Sequence, residues 1–281
     1  MTKSPDPTSL DLEAEYNNRA RVPEHPAIFE AWAQDAFAYR EKNAPTALPY
    51  GSSDRQTLDL FTPAQPNAAA TVIFIHGGYW QSLDRSLFSH MAKGLNAHGV
   101  SVAIPGYDLC PGVTIAQITD QMRAACREVA RLGRPLVVAG HSAGGHLAAC
   151  LLATDWKGVD ESLPEGLVRA AYAISGLFEL EPLVPTSVNA KLGLDSDSAR
   201  AASPALWTPR ADLSLSLDAV VGEKESGEYH RQSRTIVAAW GKLGLTTRYE
   251  AIPGKHHFDI IAPLADPESA MTARLLALAN A

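Results

Sequence analysis

The pattern of apolar and polar positions changes character along the chain. Up to about residue 45, apolar residues recur at helical spacing among charges: Leu10, Leu12 and Tyr16, then Ile28, Phe29, Trp32 and Phe37. This predicts a helical segment over 1–45, broken into two pieces by Pro23 and Pro26. Gln56-Thr57-Leu58-Asp59-Leu60-Phe61 then alternates polar and apolar, as an antiparallel edge strand with one solvated face does. From Thr71 the rhythm changes again. Thr71-Val72-Ile73-Phe74-Ile75, Val100-Ser101-Val102-Ala103-Ile104, Leu136-Val137-Val138-Ala139, Ala170-Ala171-Tyr172-Ala173-Ile174 and Leu217-Asp218-Ala219-Val220-Val221 are short, mostly apolar runs. Such runs predict parallel strands covered on both faces. Thr247-Arg248-Tyr249-Glu250-Ala251-Ile252 reads as one more strand.

Helical stretches fall between the strands, over about 86–98, 115–132, 144–153, 228–243 and 267–279. In 115–132, the apolar positions Ile115, Ile118, Met122, Ala125, Val129 and Leu132 recur at helical spacing. Strands alternating with helices predict a single α/β domain over 1–281, with a mostly parallel, doubly wound sheet and helices on both faces. The stretch 177–213 lacks strand character and carries several prolines. It lies between two strands, over the edge where open α/β sheets bind ligands, and reads as a lid or pocket wall. The N-terminal segment has no slot in the sheet and is expected to pack across the domain. Whether Tyr16 and Asn17 close over the pocket is left open.

Composition narrows the partners. The 281 residues suffice for one large core, and 46% apolar with 20% charged residues is ordinary for a soluble globular protein. A net charge of −7 argues against nucleic acid or an anionic membrane surface. No uncharged apolar stretch is long enough to span a bilayer, and residues 1–6 have no apolar h-region, so no secretory signal is expected. Three cysteines, Cys110, Cys126 and Cys150, have no metal-like spacing, so a reducing cytoplasm is expected and no metal. A homodimer is the base-rate expectation for assembly.

The chemistry enters at Gly140-His141-Ser142-Ala143-Gly144, a G-x-S-x-G between a buried strand and a helix. This sharp turn lifts one hydroxyl to the top of a sheet, and Ser142 is the candidate nucleophile. A serine hydroxyl is weak at neutral pH and needs a base, with an acid behind that base. His256 and His257 follow the last strand; His257 is preferred because His-Phe-Asp leads into Ile260-Ile261. The acid should follow the strand ending at Val221. Glu225 is preferred, with Glu223 next; Glu228 is assigned to the first turn of a helix. The transition state of acyl transfer needs preorganised N–H donors for the developing oxyanion. Ala143, directly after the nucleophile, should supply one. The loop His76-Gly77-Gly78-Tyr79-Trp80 should supply the rest from Gly78 and Tyr79, with Gly77 as a further candidate and His76 structural. Trp80, Phe178 and His146 are candidates to wall the substrate space.

These segments resemble a known group. His76-Gly77-Gly78-Tyr79-Trp80-Gln81 is similar to the H-G-G-x-W motif of the α/β-hydrolase type of kynurenine formamidase (arylformamidase). Gly140 to Leu147 resembles its nucleophile elbow, Glu225 to Ser233 its acid loop, where an Asp usually stands in place of Glu225, and His257-Phe258-Asp259-Ile260-Ile261 its histidine loop. The likeness extends to Tyr50-Gly51, Leu58-Asp59-Leu60 and Ser175-Gly176-Leu177-Phe178. It implies an α/β-hydrolase fold and cleavage of N-formyl-kynurenine or another aryl formamide, often with activity on simple aryl esters, and no cofactor. A general short-chain carboxylesterase is the alternative, since related bacterial sequences share these motifs. A non-catalytic small-molecule receptor on the same scaffold is the alternative of another class, disfavoured by the complete Ser142, Glu225 and His257 set.

Overall fold

The computed structural model describes residues 10–281, so the reading of residues 1–6 lies outside the described part. Eight strands form one sheet: β1 (Thr46–Pro49), β2 (Thr57–Phe61), β3 (Thr71–Ile75), β4 (Val102–Pro105), β5 (Leu136–His141), β6 (Val168–Ile174), β7 (Ser216–Gly222) and β8 (Thr246–Ile252). Their order is β1-β2-β4-β3-β5-β6-β7-β8. β1 pairs antiparallel with β2, and β2 antiparallel with β4. The remaining six strands run parallel.

β2 corrects one expectation. It is not at the edge, because the short strand β1 lies outside it, and four of its five residues are buried. The alternation comes from Asp59, a carboxylate that points inward and is held by Arg40 at 2.6 Å and Arg85 at 3.4 Å. A buried carboxylate is tolerated only when paired in this way.

Helices cover both faces. Ile115–Ala130, Ala143–Leu152 and Gly227–Lys242 pack one face around Val138, Leu147 and Trp240. His25–Lys42, the 3-10 helix Arg85–Ala92 and Ala270–Ala279 pack the other, around Trp32, Phe74 and Phe88. The helix Ile115–Ala130 starts where Thr114 and Gln117 form a reciprocal capping box. The N-terminal segment forms three helices, Leu12–Tyr16, Asn18–Arg21 and His25–Lys42, broken at Asn17 and again around Pro23 rather than into the two expected pieces. Pro26 sits inside the first turn of His25–Lys42, where its missing N–H has no partner to lose. The stretch 177–213 consists of short helical turns: Glu181–Leu183, Asn189–Leu192, Ser196–Ala201 and Pro204–Leu206. Cys110, Cys126 and Cys150 are buried free thiols. Among the described residues, no helix is long and apolar enough to cross a membrane.

Parallel strands put the loops after β3, β5, β6, β7 and β8 on one edge of the sheet. His76, Ser142, Ser175, Glu225 and His257 all follow these strand ends.

Candidate active site

Ser142 adopts φ 57° and ψ −117°, between the end of β5 and the start of the helix Ala143–Leu152. A non-glycine residue is rarely held there, and the cost of order 1–3 kcal/mol is met by the surrounding structure. The Ser142 N–H donates to the Ile174 carbonyl at 2.8 Å. A Cβ on Gly144 would lie 2.0 Å from the Ile75 carbonyl oxygen, so only glycine lets this helix start against β3.

Three side chains meet at this turn. His257 Nδ1 lies 2.7 Å from Glu225 Oε2, and His257 Nε2 lies 3.1 Å from Ser142 Oγ. A carboxylate only accepts, so the ring proton sits on Nδ1, and Nε2 is left with a lone pair facing the serine hydroxyl. Glu225 is itself oriented: its Oε1 accepts from the Gly222 N–H at 2.7 Å and from the Ser175 hydroxyl at 2.5 Å. The other two acids lie elsewhere. Glu223 accepts from the exposed Gly254 N–H, and Glu228 is taken by Tyr16 and Arg231. His256 bonds within its own loop, with Asp259.

The glycine loop after β3 stands beside the elbow. Gly78, Tyr79 and Trp80 all have positive φ, at 111°, 51° and 55°. This run turns the chain sharply, and its carbonyls are tied back. The Gly78 carbonyl accepts from Gln81 N–H and Ser82 Oγ; the Gly77 carbonyl accepts from His76 Nδ1 and Tyr107 OH. Among the described residues, the N–H groups of Gly78, Tyr79 and Ala143 donate to no backbone acceptor. Gly77 packs on Ser142 itself, so close that a Cβ there would be 3.0 Å from the Ser142 Cβ. His76 is buried, which lowers its pKa to about 4, and it acts as a neutral strut for the loop.

A cavity of about 320 Å³ opens over Ser142 and His257. Gly78 and Tyr79 line it; Trp80, Phe178 and His146 do not. These three are corrections to the sequence reading. Trp80 is fully buried, its ring edge-on to His146 at 5.0 Å, beneath the loop rather than in the pocket. His146 points to the Ala202 carbonyl at 2.7 Å. Phe178 lies in the core under the sheet edge. The walls come instead from the N-terminal segment (Tyr16, Asn17, Asn18, Phe29 and Trp32), from Phe258, and from Ser187, Val188 and Lys191 of the 177–213 stretch.

Sequence reasoning also missed His141 and Tyr229. His141 Nε2 donates to the His257 carbonyl at 2.7 Å, tying the histidine loop to the elbow. Burial, with His257 beside it, holds the His141 ring well below its ordinary pKa, so it is a neutral tether. Tyr229 packs its ring on His257 at 4.8 Å. The only signal for His141 was its place inside the G-x-S-x-G, and nothing local marked Tyr229.

Residues 72–280 match the sequence profile of the alpha/beta hydrolase family. The kynurenine formamidase of Salmo salar is 32% identical over 238 residues, covering 82% of this chain and 80% of that protein. The kynurenine formamidase of Drosophila melanogaster is 33% identical over 236 residues, covering 79% and 77%. A solved structure from Silicibacter sp. TM1040, described as a candidate thioesterase, is 37% identical with a TM-score of 0.83, covering 94% of this chain and 98% of that one.

Proposed function

This chain belongs to the alpha/beta hydrolase family and, within it, to the kynurenine formamidases, and from that membership we propose that it cleaves N-formyl-kynurenine or a close aryl formamide through an acyl-enzyme. The observation that carries the reading is the Ser142–His257–Glu225 line at the ends of three strands, opening on an aromatic cavity. Ser142 Oγ attacks the formyl carbon as its proton passes to His257 Nε2. The imidazolium is held by Glu225, and the carbonyl oxygen, now an anion, is met by the N–H groups of Gly78, Tyr79 and Ala143. The proton then moves from Nε2 to the departing arylamine nitrogen as the C–N bond breaks. Water, deprotonated by His257 Nε2, attacks the formyl ester, and the same Nε2 returns that proton to Ser142 Oγ as the ester bond breaks and formate leaves.

The leaving group fits the cavity's other walls. Phe258 follows His257 with ring centroids 5.3 Å apart, and Phe29 meets Phe258 edge-on at 5.2 Å. Arg19 lies over Phe29 at 6.0 Å. An aryl ring on this surface would place a side-chain carboxylate toward Arg19 and Lys191. Among the described residues, these two cations line the cavity and no acidic residue does, in a chain of net charge −7. The three buried free thiols fit a reducing cytoplasm, the compartment proposed here.

A short-chain carboxylesterase is the second reading, favoured by the likeness to the candidate thioesterase. Turnover of N-formyl-kynurenine beside p-nitrophenyl esters of rising chain length separates the two. The formamidase reading expects turnover of the formamide and falling rates beyond acetate. Rates that climb toward butyrate, with none on the formamide, would reject it. Undiminished turnover by Ser142→Ala would reject both.

A further inference from the structure

Two tyrosine hydroxyls lie behind the reacting groups and take no part in the chemistry above. Tyr79 OH is 2.6 Å from the Tyr16 carbonyl and 2.8 Å from Tyr229 OH; Asn18 Nδ2 is 2.7 Å from Tyr229 OH. The partners fix every proton. The Tyr16 carbonyl can only accept, so Tyr79 donates to it. Tyr79 has no second proton, so Tyr229 donates to Tyr79. The Asn18 amide N–H then donates to Tyr229. The run is directional: Asn18 N–H to Tyr229 O–H to Tyr79 O–H to the Tyr16 carbonyl. Burial raises the pKa of both tyrosines, so neither loses its proton at any working pH.

The ends of this run lie two residues apart on one short segment, and its middle touches both halves of the reaction centre. Tyr79 owns one of the N–H groups offered to the oxyanion and is held at positive φ. Tyr229 backs the His257 imidazole, ring to ring, at 4.8 Å. The segment is anchored in turn on the helix Gly227–Lys242: Tyr16 OH donates to Glu228 Oε2 at 2.6 Å and accepts from Gln232 Nε2 at 2.7 Å, and Glu15 accepts the Glu228 N–H at 2.9 Å.

We propose that Asn18, Tyr229 and Tyr79 form one hydrogen-bonded circuit, closed by residues 16–18, that sets the oxyanion loop and the His257 ring in register with each other. Tyr79 and Tyr229 are thus positioning residues through their hydroxyls. The assignment rests on the hydrolase reading but not on the identity of the acyl group. It gives the N-terminal segment a part in rate as well as in enclosing the cavity.

Tyr79→Phe and Tyr229→Phe keep both rings; each removes one hydroxyl and its two hydrogen bonds, the Tyr229–Tyr79 bond being common to both. In a run where each proton depends on the next, either cut releases both halves, so the two losses overlap. The assay is p-nitrophenyl acetate hydrolysis, with reactive sites counted by fluorophosphonate labelling taken to completion, so that misfolded protein is excluded from kcat. Each single variant should lower kcat about tenfold, the worth of the hydrogen bond the two hydroxyls share, with KM nearly unchanged. The double variant should lose scarcely more than either single one. Single variants with wild-type kcat per reactive site would overturn the proposal, and so would losses that multiply in the double variant. A wild-type protein that neither turns over nor labels would instead reject the hydrolase reading itself.

Discussion

Gly77→Ala tests how closely the oxyanion loop must approach the nucleophile. Gly77 does not have a positive φ, so alanine adds no backbone strain there, and the whole effect is steric. The new methyl would stand 2.9 Å from the His141 carbonyl oxygen, 3.0 Å from the Ser142 Cβ and 3.2 Å from His141 Nδ1. Comfortable contact needs about 3.5–4.0 Å between carbons, so the loop and the elbow must part by roughly 0.5–1 Å. Neither side has slack. His141 is tied to the His257 carbonyl, Ser142 N–H to Ile174, and the Gly77 carbonyl to His76 and Tyr107. The overpacking should cost about 1–3 kcal/mol of stability. The displaced donors should cost about 10²-fold in kcat, since misplacement by about 1 Å has that effect on an aligned site. Gly166→Ala is the control: it has open space around the added methyl and no positive φ, and should leave the rate unchanged and the melting temperature the same or slightly raised. Steady-state kinetics on p-nitrophenyl acetate, with thermal melts, decide the matter. A folded Gly77→Ala protein within about threefold of wild-type kcat would refute the close-approach argument.

Three further outcomes follow from the same geometry. Glu225→Gln should lower kcat by about 10³–10⁴, because an amide no longer fixes the proton on His257 Nδ1; Glu225→Asp should lose less, since a carboxyl pulled back by one methylene gives up either His257 or the Gly222 and Ser175 contacts, and a Gln variant within about tenfold of wild type would remove Glu225 from its role. Arg19→Gln with Lys191→Gln should raise KM for N-formyl-kynurenine about three- to tenfold and leave p-nitrophenyl acetate untouched; equal effects on both substrates would reject a carboxylate subsite. Stability should fall in acid: burial lowers His76, His90 and His146 from 6.5 to about 4 and holds His141 well below 6.5, so the unfolded chain binds more protons over this range, and the contribution is whole above pH 6.5 and lost as pH drops toward 4. With four such groups, the slope near pH 5 should reach about 5 kcal/mol per pH unit, read from chemical denaturation by circular dichroism, and a flat profile from pH 7 to 4.5 would contradict it.

What the sequence disclosed and what it hid divide along the range of the forces involved. The elbow was legible because its constraint is local: Gly140, Ser142 and Gly144 must be small or strained within one turn, whatever the rest of the chain does. The buried parallel strands were legible because both their faces meet core, which leaves an unbroken apolar run. Asp59 misled because alternation records polarity and not exposure, and the arginines that neutralise it lie 19 and 26 positions away. Trp80 misled for a different reason. It neighbours the oxyanion donors in sequence, but the left-handed run through Tyr79 and Trp80 sends its ring into the core, so adjacency along the chain did not become adjacency to substrate. The pocket walls were the least legible part. Asn18 meets Tyr229 across 211 positions and Tyr16 meets Glu228 across 212, contacts that no local pattern encodes. The proposed reacting groups sit on turns whose form is dictated locally, whereas the cavity walls proposed to select a substrate come from the N-terminal segment and the 177–213 stretch, neither of which lies in the sheet. Relatives can therefore keep the elbow and the histidine loop while changing what the cavity admits, which is why the identity of the leaving group must be read from Arg19, Phe29 and Lys191 rather than from Ser142.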